Sequence, residues 1–215
     1  MVRLLLVRHG ETAWNAAGRF QGHTDVPLNA TGKRQAVALT RLMAVETVHA
    51  LYVSDLQRAW ETARMIAAPL GLTAQPEPRL REMAFGRWEG LHYTEIQHSD
   101  AQALAAWQAD PMQVAPPGGE TLTQVTARVR AALDRIAGSC QEHTAVLVAH
   151  SGPLRVLLCL ALGLPSQSHW QFSVAPGSLS ELYLYEQGAT LTRLNHTHHL
   201  DEADDGSPGA HGPRQ

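Results

Sequence analysis

The chain has few cysteines: Cys140 and Cys159 are the only two in 215 residues. They cannot build a disulfide framework, and a reducing, cytoplasmic setting suits them. There is no basic excess. Lys and Arg number 17 against 20 Asp and Glu, a formal charge of −3, which excludes a general nucleic-acid binder. Any anion site must therefore be a local gathering of cations. Long apolar runs are missing too. Residues 4–7 stop at Arg8, too short for a signal core, and residues 156–164 are about half the ~20 residues of a membrane span. No internal repeat is present, and no Lys or Arg occurs from Trp88 through Ala127. With 44% hydrophobic and 17% charged residues, the chain reads as globular, with disorder, collagen and coiled coil excluded as its main description. The expectation is a soluble cytoplasmic protein, with no membrane and no nucleic-acid partner.

Residues 2–7, 50–53 and 145–149 are short Val/Leu/Ala-rich runs that read as buried strands. A helix capped by Thr31 is expected to about Glu46, with Ala36, Leu39, Leu42 and Met43 on one face. A second should span 56–70 and stop at Gly71. A third should span 121–136, with Leu122, Val125, Val129, Leu133 and Ile136 inward and Gly138 after it. Pro153 sits where a helix can start, continuing to Leu162. Residues 178–185 and 190–195 flank Gln187-Gly188 as a hairpin. Strands alternating with helices predict an α/β fold with a mainly parallel sheet covered on both faces. Between 86 and 120 the pattern gives way to short helical pieces, scattered aromatics (Trp88, Tyr93, Trp107) and Pro116-Pro117-Gly118-Gly119. This reads as an insertion over one end of the sheet. The acidic, Gly/Pro-containing segment 201–215 is expected to be disordered.

Arg8-His9-Gly10-Glu11-Thr12 follows the first strand, where open α/β sheets bind ligands. Gly10 is read as letting backbone amides approach such a ligand. The strand 145–149 runs into His150-Ser151-Gly152-Pro153 and a helix N-terminus, a place that favours anions. Ser54-Asp55-Leu56-Gln57-Arg58 follows the strand 50–53, and Arg81-Glu82 precedes Phe85-Gly86. Two histidines, two arginines and a carboxylate on one rim form a kit for phosphoryl transfer. Arginine forks match phosphate oxygens. Neighbouring cations disfavour imidazolium, which keeps His9 neutral and nucleophilic. Glu82 suits a general acid. The guanidinium groups supply the positive charge, so no metal or cofactor is called for. The run His196, His198, His199 fits no strict metal-ligand spacing. His23, His49, His143 and His169 are read as surface or structural.

The motif Leu6-Val7-Arg8-His9-Gly10-Glu11-Thr12, followed by Trp14-Asn15 and Phe20-Gln21-Gly22, resembles the signature of the histidine phosphatase superfamily, the phosphoglycerate-mutase-like family. Asp25-Val26-Pro27-Leu28-Asn29, Ser54-Asp55-Leu56-Gln57-Arg58-Ala59, Arg81-Glu82, Phe85-Gly86-Arg87-Trp88-Glu89-Gly90, Gly118-Gly119-Glu120 and Ala149-His150 extend the likeness over about residues 2–195. The resemblance implies a three-layer α/β/α sandwich, with residues 1–200 as one domain carrying the insertion at 86–120 as a cap. It implies His9 as the phosphorylated nucleophile and Glu82 as proton donor. Arg8, Arg58 and His150 would bind the phosphoryl group, with Asn15, Gln21 and Gly22 completing the pocket. This sequence departs from the family at Ser151, where glycine is usual. Ser151 then stands beside the phosphate, and the glycine is delayed to Gly152.

The family divides into phosphatases and mutases. Glu89, Glu95, Asp100, Asp110 and Glu120 in a segment without cations would repel a multiply charged substrate if they face the pocket. That favours a metal-independent phosphomonoesterase acting on a small molecule with a neutral or weakly charged remainder. The Phe85–Gly90 motif and the segment 194–200 resemble alpha-ribazole phosphatase-like members, and Trp and Tyr in the cap would suit a flat aromatic leaving group. A 2,3-bisphosphoglycerate-dependent phosphoglycerate mutase, a broad-specificity phosphatase and a non-catalytic phosphate-binding relative stay open, as does a homodimer.

Overall fold

A computed structural model describes residues 1–201. The elements in chain order are β1 (Val2–Arg8), α1 (Ala13–Ala16), α2 (Ala30–Met43), β2 (Ala50–Val53), α3 (Gln57–Leu70), β3 (Ala74–Pro76), α4 (Tyr93–Ser99), α5 (Ala101–Ala109), α6 (Leu122–Ser139), β4 (Thr144–Ala149), α7 (Ser151–Ala161), β5 (Leu179–Tyr185), β6 (Gly188–His196) and α8 (His198–Asp201). The six strands lie in the order β3-β2-β4-β1-β5-β6. The first four are mutually parallel, and the β5–β6 hairpin adds two antiparallel strands at one edge. Among the described residues no helix is long and apolar enough to cross a membrane.

Alternation along buried strands divides the core between two faces. Leu4, Leu6, Ala145, Leu147 and Ala149 pack against α6 and α7. Leu5, Val7, Val146 and Val148 pack against α2 and α3. The result is the three-layer α/β/α sandwich. Strands buried on both sides show unbroken apolar runs, so the face of each residue is set by the pleat and not by polarity.

Several local expectations shift. Asn29, not Thr31, caps α2, its Oδ1 accepting from Gly32 N at 2.8 Å; asparagine is at least as good a cap as threonine. Gly138 lies inside α6, which continues to Ser139. Pro153 is the third residue of α7 rather than its first, because His150 already supplies the extended N-cap backbone. Strand β3, only three residues at the sheet edge, carries too little pattern to be read from sequence. Gly71 ends α3 in the left-handed region at φ 63°, as glycine allows.

The segment after Phe85 leaves and returns through adjacent points. Glu120 N donates to Ala84 O at 2.9 Å, and Arg87 N to Pro117 O at 3.0 Å. Between them Trp88, Ile96 and Leu104 form a small core of their own. Trp88 is fully buried and donates through Nε1 to Asp100 Oδ2 at 2.9 Å. It meets Trp107 edge to face at 5.6 Å. Tyr93 is exposed, its hydroxyl accepting from Gln108. Trp88 is thus packing, not a pocket wall. The sequence expectation for the tail 201–215 lies outside the described residues, apart from Asp201, which closes α8.

Candidate active site

The register of β1 on β4 pairs Arg8 with Ala149. The next residues of these two parallel strands are His9 and His150, so the sheet itself sets the two imidazoles side by side, centroids 4.9 Å apart. Strand β2, next to β4, is followed by Ser54 on the same rim. Both histidines are buried.

Hydrogen bonds fix each tautomer. His9 Nδ1 lies 2.7 Å from the Gly10 carbonyl. A carbonyl can only accept, so Nδ1 carries the proton and Nε2 keeps its lone pair. His150 is the reverse. Its Nδ1 accepts from Arg58 Nε at 3.1 Å and its Nε2 donates to Ser54 Oγ at 2.8 Å. Burial, then the Arg58 and Arg8 charges, hold the His9 pKa well below its ordinary value. Burial and Arg58, with His9, do the same at His150. His9 is therefore a neutral imidazole with an open nitrogen.

Arg58, in the first turn of α3, is fully buried. Its Nη2 donates to Gly22 O at 2.8 Å and its Nη1 to Thr24 O at 3.0 Å, so one guanidinium ties the 22–24 loop to His150. Gly22 has φ 54°, and a Cβ there would overlap the Glu89 carboxylate. Arg8 donates to Val174 O at 2.6 Å, while its Nε is buried without a partner. Burial pushes Arg8 down to about 10 and lowers Arg58 as well.

Glu82 stands at the start of α7. Its Oε1 accepts from Met83 N at 2.9 Å and from Gly152 N at 3.1 Å; Oε2 is 3.3 Å from Gly152 N. A Cβ at position 152 would overlap Oε1. The delayed glycine is thus the seat of the Glu82 carboxyl. Ser151 opens α7, and its hydroxyl makes no hydrogen bond among the described residues. Asn15 uses its Oδ1 in a capping box with Thr12, and the Thr12 hydroxyl lies 3.0 Å from Gln21 Oε1. Asn15 and Gln21 thereby reach the site through Thr12.

Gly10 has a different role from the one expected. Its N–H donates to Thr62 Oγ1 at 3.1 Å, and a Cβ would overlap the Gly32 backbone. It admits α2, not a ligand.

The cap acids are engaged. Burial favours their neutral forms, yet the Thr24 hydroxyl and the N–H groups of His23, Phe85 and Thr24 hold the Glu89 carboxyl below the usual range, as Arg128 does for Glu120. Glu95 pairs with Arg19 at 3.2 Å. Arginines therefore pair with Glu95 and Glu120, while Glu89 is held as a carboxylate by neutral donors.

The sequence reading missed four residues around Glu82. Arg128 donates to the carbonyls of Arg79, Arg81 and Glu82 at 2.8, 2.6 and 2.9 Å and pairs with Glu120 at 2.9 Å. His23 Nε2 donates to the same Glu82 carbonyl at 2.9 Å. Arg155 and His169 both lie within electrostatic reach of Glu82. Only its place, five residues after His150, could have flagged Arg155. His196 and His199 stack at 5.6 Å, and among the described residues no three His, Cys, Asp or Glu groups gather as a metal site.

The family model described as histidine phosphatase superfamily (branch 1) matches residues 4–197. This chain belongs to the histidine phosphatase superfamily. Among its histidine phosphatase relatives, phosphoserine phosphatase 1 of Hydrogenobacter thermophilus is 34% identical over 202 residues, covering 94% of this chain and 96% of that one. The adenosylcobalamin/alpha-ribazole phosphatase of Salmonella typhimurium is 36% identical over 194 residues, covering 90% and 96%. The crystal structure of the alpha-ribazole phosphatase from Shigella flexneri superposes with a TM-score of 0.84 at 34% identity, covering 90% of this chain and 96% of that one.

Proposed function

We propose that this histidine phosphatase hydrolyses phosphate monoesters through a phosphohistidine on His9. The observation that carries the reading is the buried, neutral His9 ring, with Nδ1–H held by Gly10 O and the Nε2 lone pair open. In the first step Nε2 attacks phosphorus and the bond from phosphorus to the ester oxygen breaks. Glu82, seated on Met83 N and Gly152 N, gives a proton to the departing oxygen. In the second step water attacks phosphorus, Glu82 takes the water's proton, and the P–N bond breaks to restore His9 and release phosphate. The imidazolium character that develops on His9 is stabilised by the Gly10 carbonyl. Arg8 and Arg58 face the phosphoryl oxygens, and His150, oriented by Arg58 and Ser54, lies beside them. Gly22 and Ser151 stand at the same end of the site, and Asn15 and Gln21 support it through Thr12.

Residues 1–200 act in this reading as one domain, with 86–120 as its cap; the hydrogen bonds that join the two ends of that segment support it. The unpaired cysteines support a cytoplasmic setting. Relatives named for alpha-ribazole phosphate and for phosphoserine bring two candidate monoesters, one ending in an aromatic base and one in an amino acid. The test is phosphate release from a panel of monophosphates without added metal, run beside 3-phosphoglycerate isomerisation with its bisphosphate primer. Release without isomerisation is expected. Efficient isomerisation with little release would make the chain a mutase, and neither activity would leave only a binding protein.

A further inference from the structure

The segment 194–200 takes no part in the steps above, yet its hydrogen bonds lead to the nucleophile end of β1. The link is the strap of residues 173–177, just before β5. Gly177 N donates to His9 O at 3.0 Å and to Arg8 O at 3.2 Å. Val174 O accepts from Arg8 Nη1 at 2.6 Å. The strap therefore holds both the main chain and the guanidinium of Arg8.

Asn195 in turn holds the residues on either side of Val174. Its Oδ1 accepts from Ala175 N at 2.6 Å, and its Nδ2 donates to Ser173 Oγ at 3.3 Å. A backbone N–H can only donate, so the bond from Ala175 fixes which end of the side chain is oxygen. The backbone of Asn195 is special too. The pairing of β5 with β6 slips by one residue between Leu179–His196 and Glu181–Arg193, so Asn195 stands in a bulge of β6, and bulges re-aim side chains. Its φ is 53°, a left-handed conformation that asparagine tolerates better than most residues. Its N–H donates to Ser180 Oγ at 2.9 Å. At the other end of the strap, His199 Nε2 donates to Gly177 O at 3.0 Å.

Arg8 needs such support more than Arg58 does. The Arg58 guanidinium donates to three protein acceptors. Among the described residues that of Arg8 donates to one, Val174 O, and its Nε is buried without a partner. A guanidinium fork binds phosphate by direction as well as charge, and one carbonyl sets the direction here.

We infer that Asn195 is a positioning residue for Arg8: it fixes Val174 O and thereby aims the remaining N–H groups of the guanidinium at the phosphoryl group. This rests on the phosphomonoesterase reading above, in which Arg8 binds that group.

The test is a double-mutant cycle on Asn195 and Arg8, read as vanadate inhibition and as kcat/KM for para-nitrophenyl phosphate. Asn195→Gly keeps the backbone conformation and removes the amide. It should weaken inhibition and lower kcat/KM by about 10- to 100-fold, the cost of a misplaced binding group. In an Arg8→Gln background the same change should cost under about twofold, because no guanidinium is left to aim. Asn195→Asp keeps the oxygen facing Ala175 N and tolerates the same φ, so it should recover the parent's inhibition. Equal losses in both backgrounds, or none in either, would overturn the assignment, as a merely structural role predicts the former. So would inhibition of Asn195→Asp weakened as far as that of Arg8→Gln, whether or not Asn195→Gly folds. Undiminished inhibition of Arg8→Gln itself, or failure of the wild type to release phosphate from para-nitrophenyl phosphate, would instead overturn the reading on which the assignment rests.

Discussion

Replacing Gly152 by alanine separates stability from chemistry. Gly152 is the second residue of α7, and in an ordinary helix a glycine-to-alanine change stabilises by up to about 1 kcal/mol. Here the new Cβ would come closer than 3.0 Å to Glu82 Oε1. The carboxyl must move by about 1 Å, and its bonds from Gly152 N, now 3.1 and 3.3 Å, must lengthen or break. A misplacement of about 1 Å costs on the order of 100-fold, within the roughly 10²- to 10⁴-fold range of general-acid catalysis. Gly152→Ala should therefore lower kcat on alkyl phosphates, whose oxygen needs a proton to leave, by about 100-fold. On para-nitrophenyl phosphate, a good leaving group, the loss should stay under about tenfold. Denaturation should remain within about 1 kcal/mol of the parent. The assay is phosphate release on both esters with a urea melt of each protein. Equal losses on the two esters, or none on either, would refute the placement of Glu82 against the helix N-terminus.

Two further outcomes follow from the buried charges. His9 and His150 have folded-state pKa values well below the ordinary 6.5, for which burial is the first cause. As pH falls below 6.5 the unfolded chain therefore takes up protons that the folded one refuses. Stability should be full above pH 6.5 and fall below it, by about 1.4 kcal/mol per pH unit for each histidine at the steepest; a urea midpoint unchanged from pH 7.5 to 5.5 would contradict the buried neutral pair. Arg58→Lys cannot satisfy Gly22 O, Thr24 O and His150 Nδ1 together. It should lose about 1–3 kcal/mol of stability and weaken vanadate inhibition at least tenfold, and a variant with undiminished inhibition would remove Arg58 from the phosphate site.

Much of this was legible in the sequence because it is local. An apolar run ending in Arg8-His9, and another ending in His150, mark strand ends in any α/β chain. Their meeting depends on β1 pairing with β4 in the register Arg8 to Ala149, which no local pattern reports. The resemblance of the motifs supplied that link. What stayed hidden is long-range. Gly10 looks like a ligand glycine until Gly32 of α2 is found against it. The acids of 86–120 look unengaged until His23 N, the Thr24 hydroxyl and Arg19 are found bonded to Glu89 and Glu95. Arg128 reads as one more charge on α6, yet it grips three carbonyls of the Glu82 loop. Charges whose partners lie more than 40 residues away cannot be assigned from spacing.

The most direct measurement is of the covalent intermediate. Rapid acid-free quenching during turnover, followed by peptide mapping, should show a phosphoryl group on the peptide holding His9, stable in base and labile in acid. His9→Ala should take no label and release no phosphate while melting as a folded protein. Label on another residue, or turnover by His9→Ala at a rate near that of the parent, would contradict the phosphohistidine mechanism.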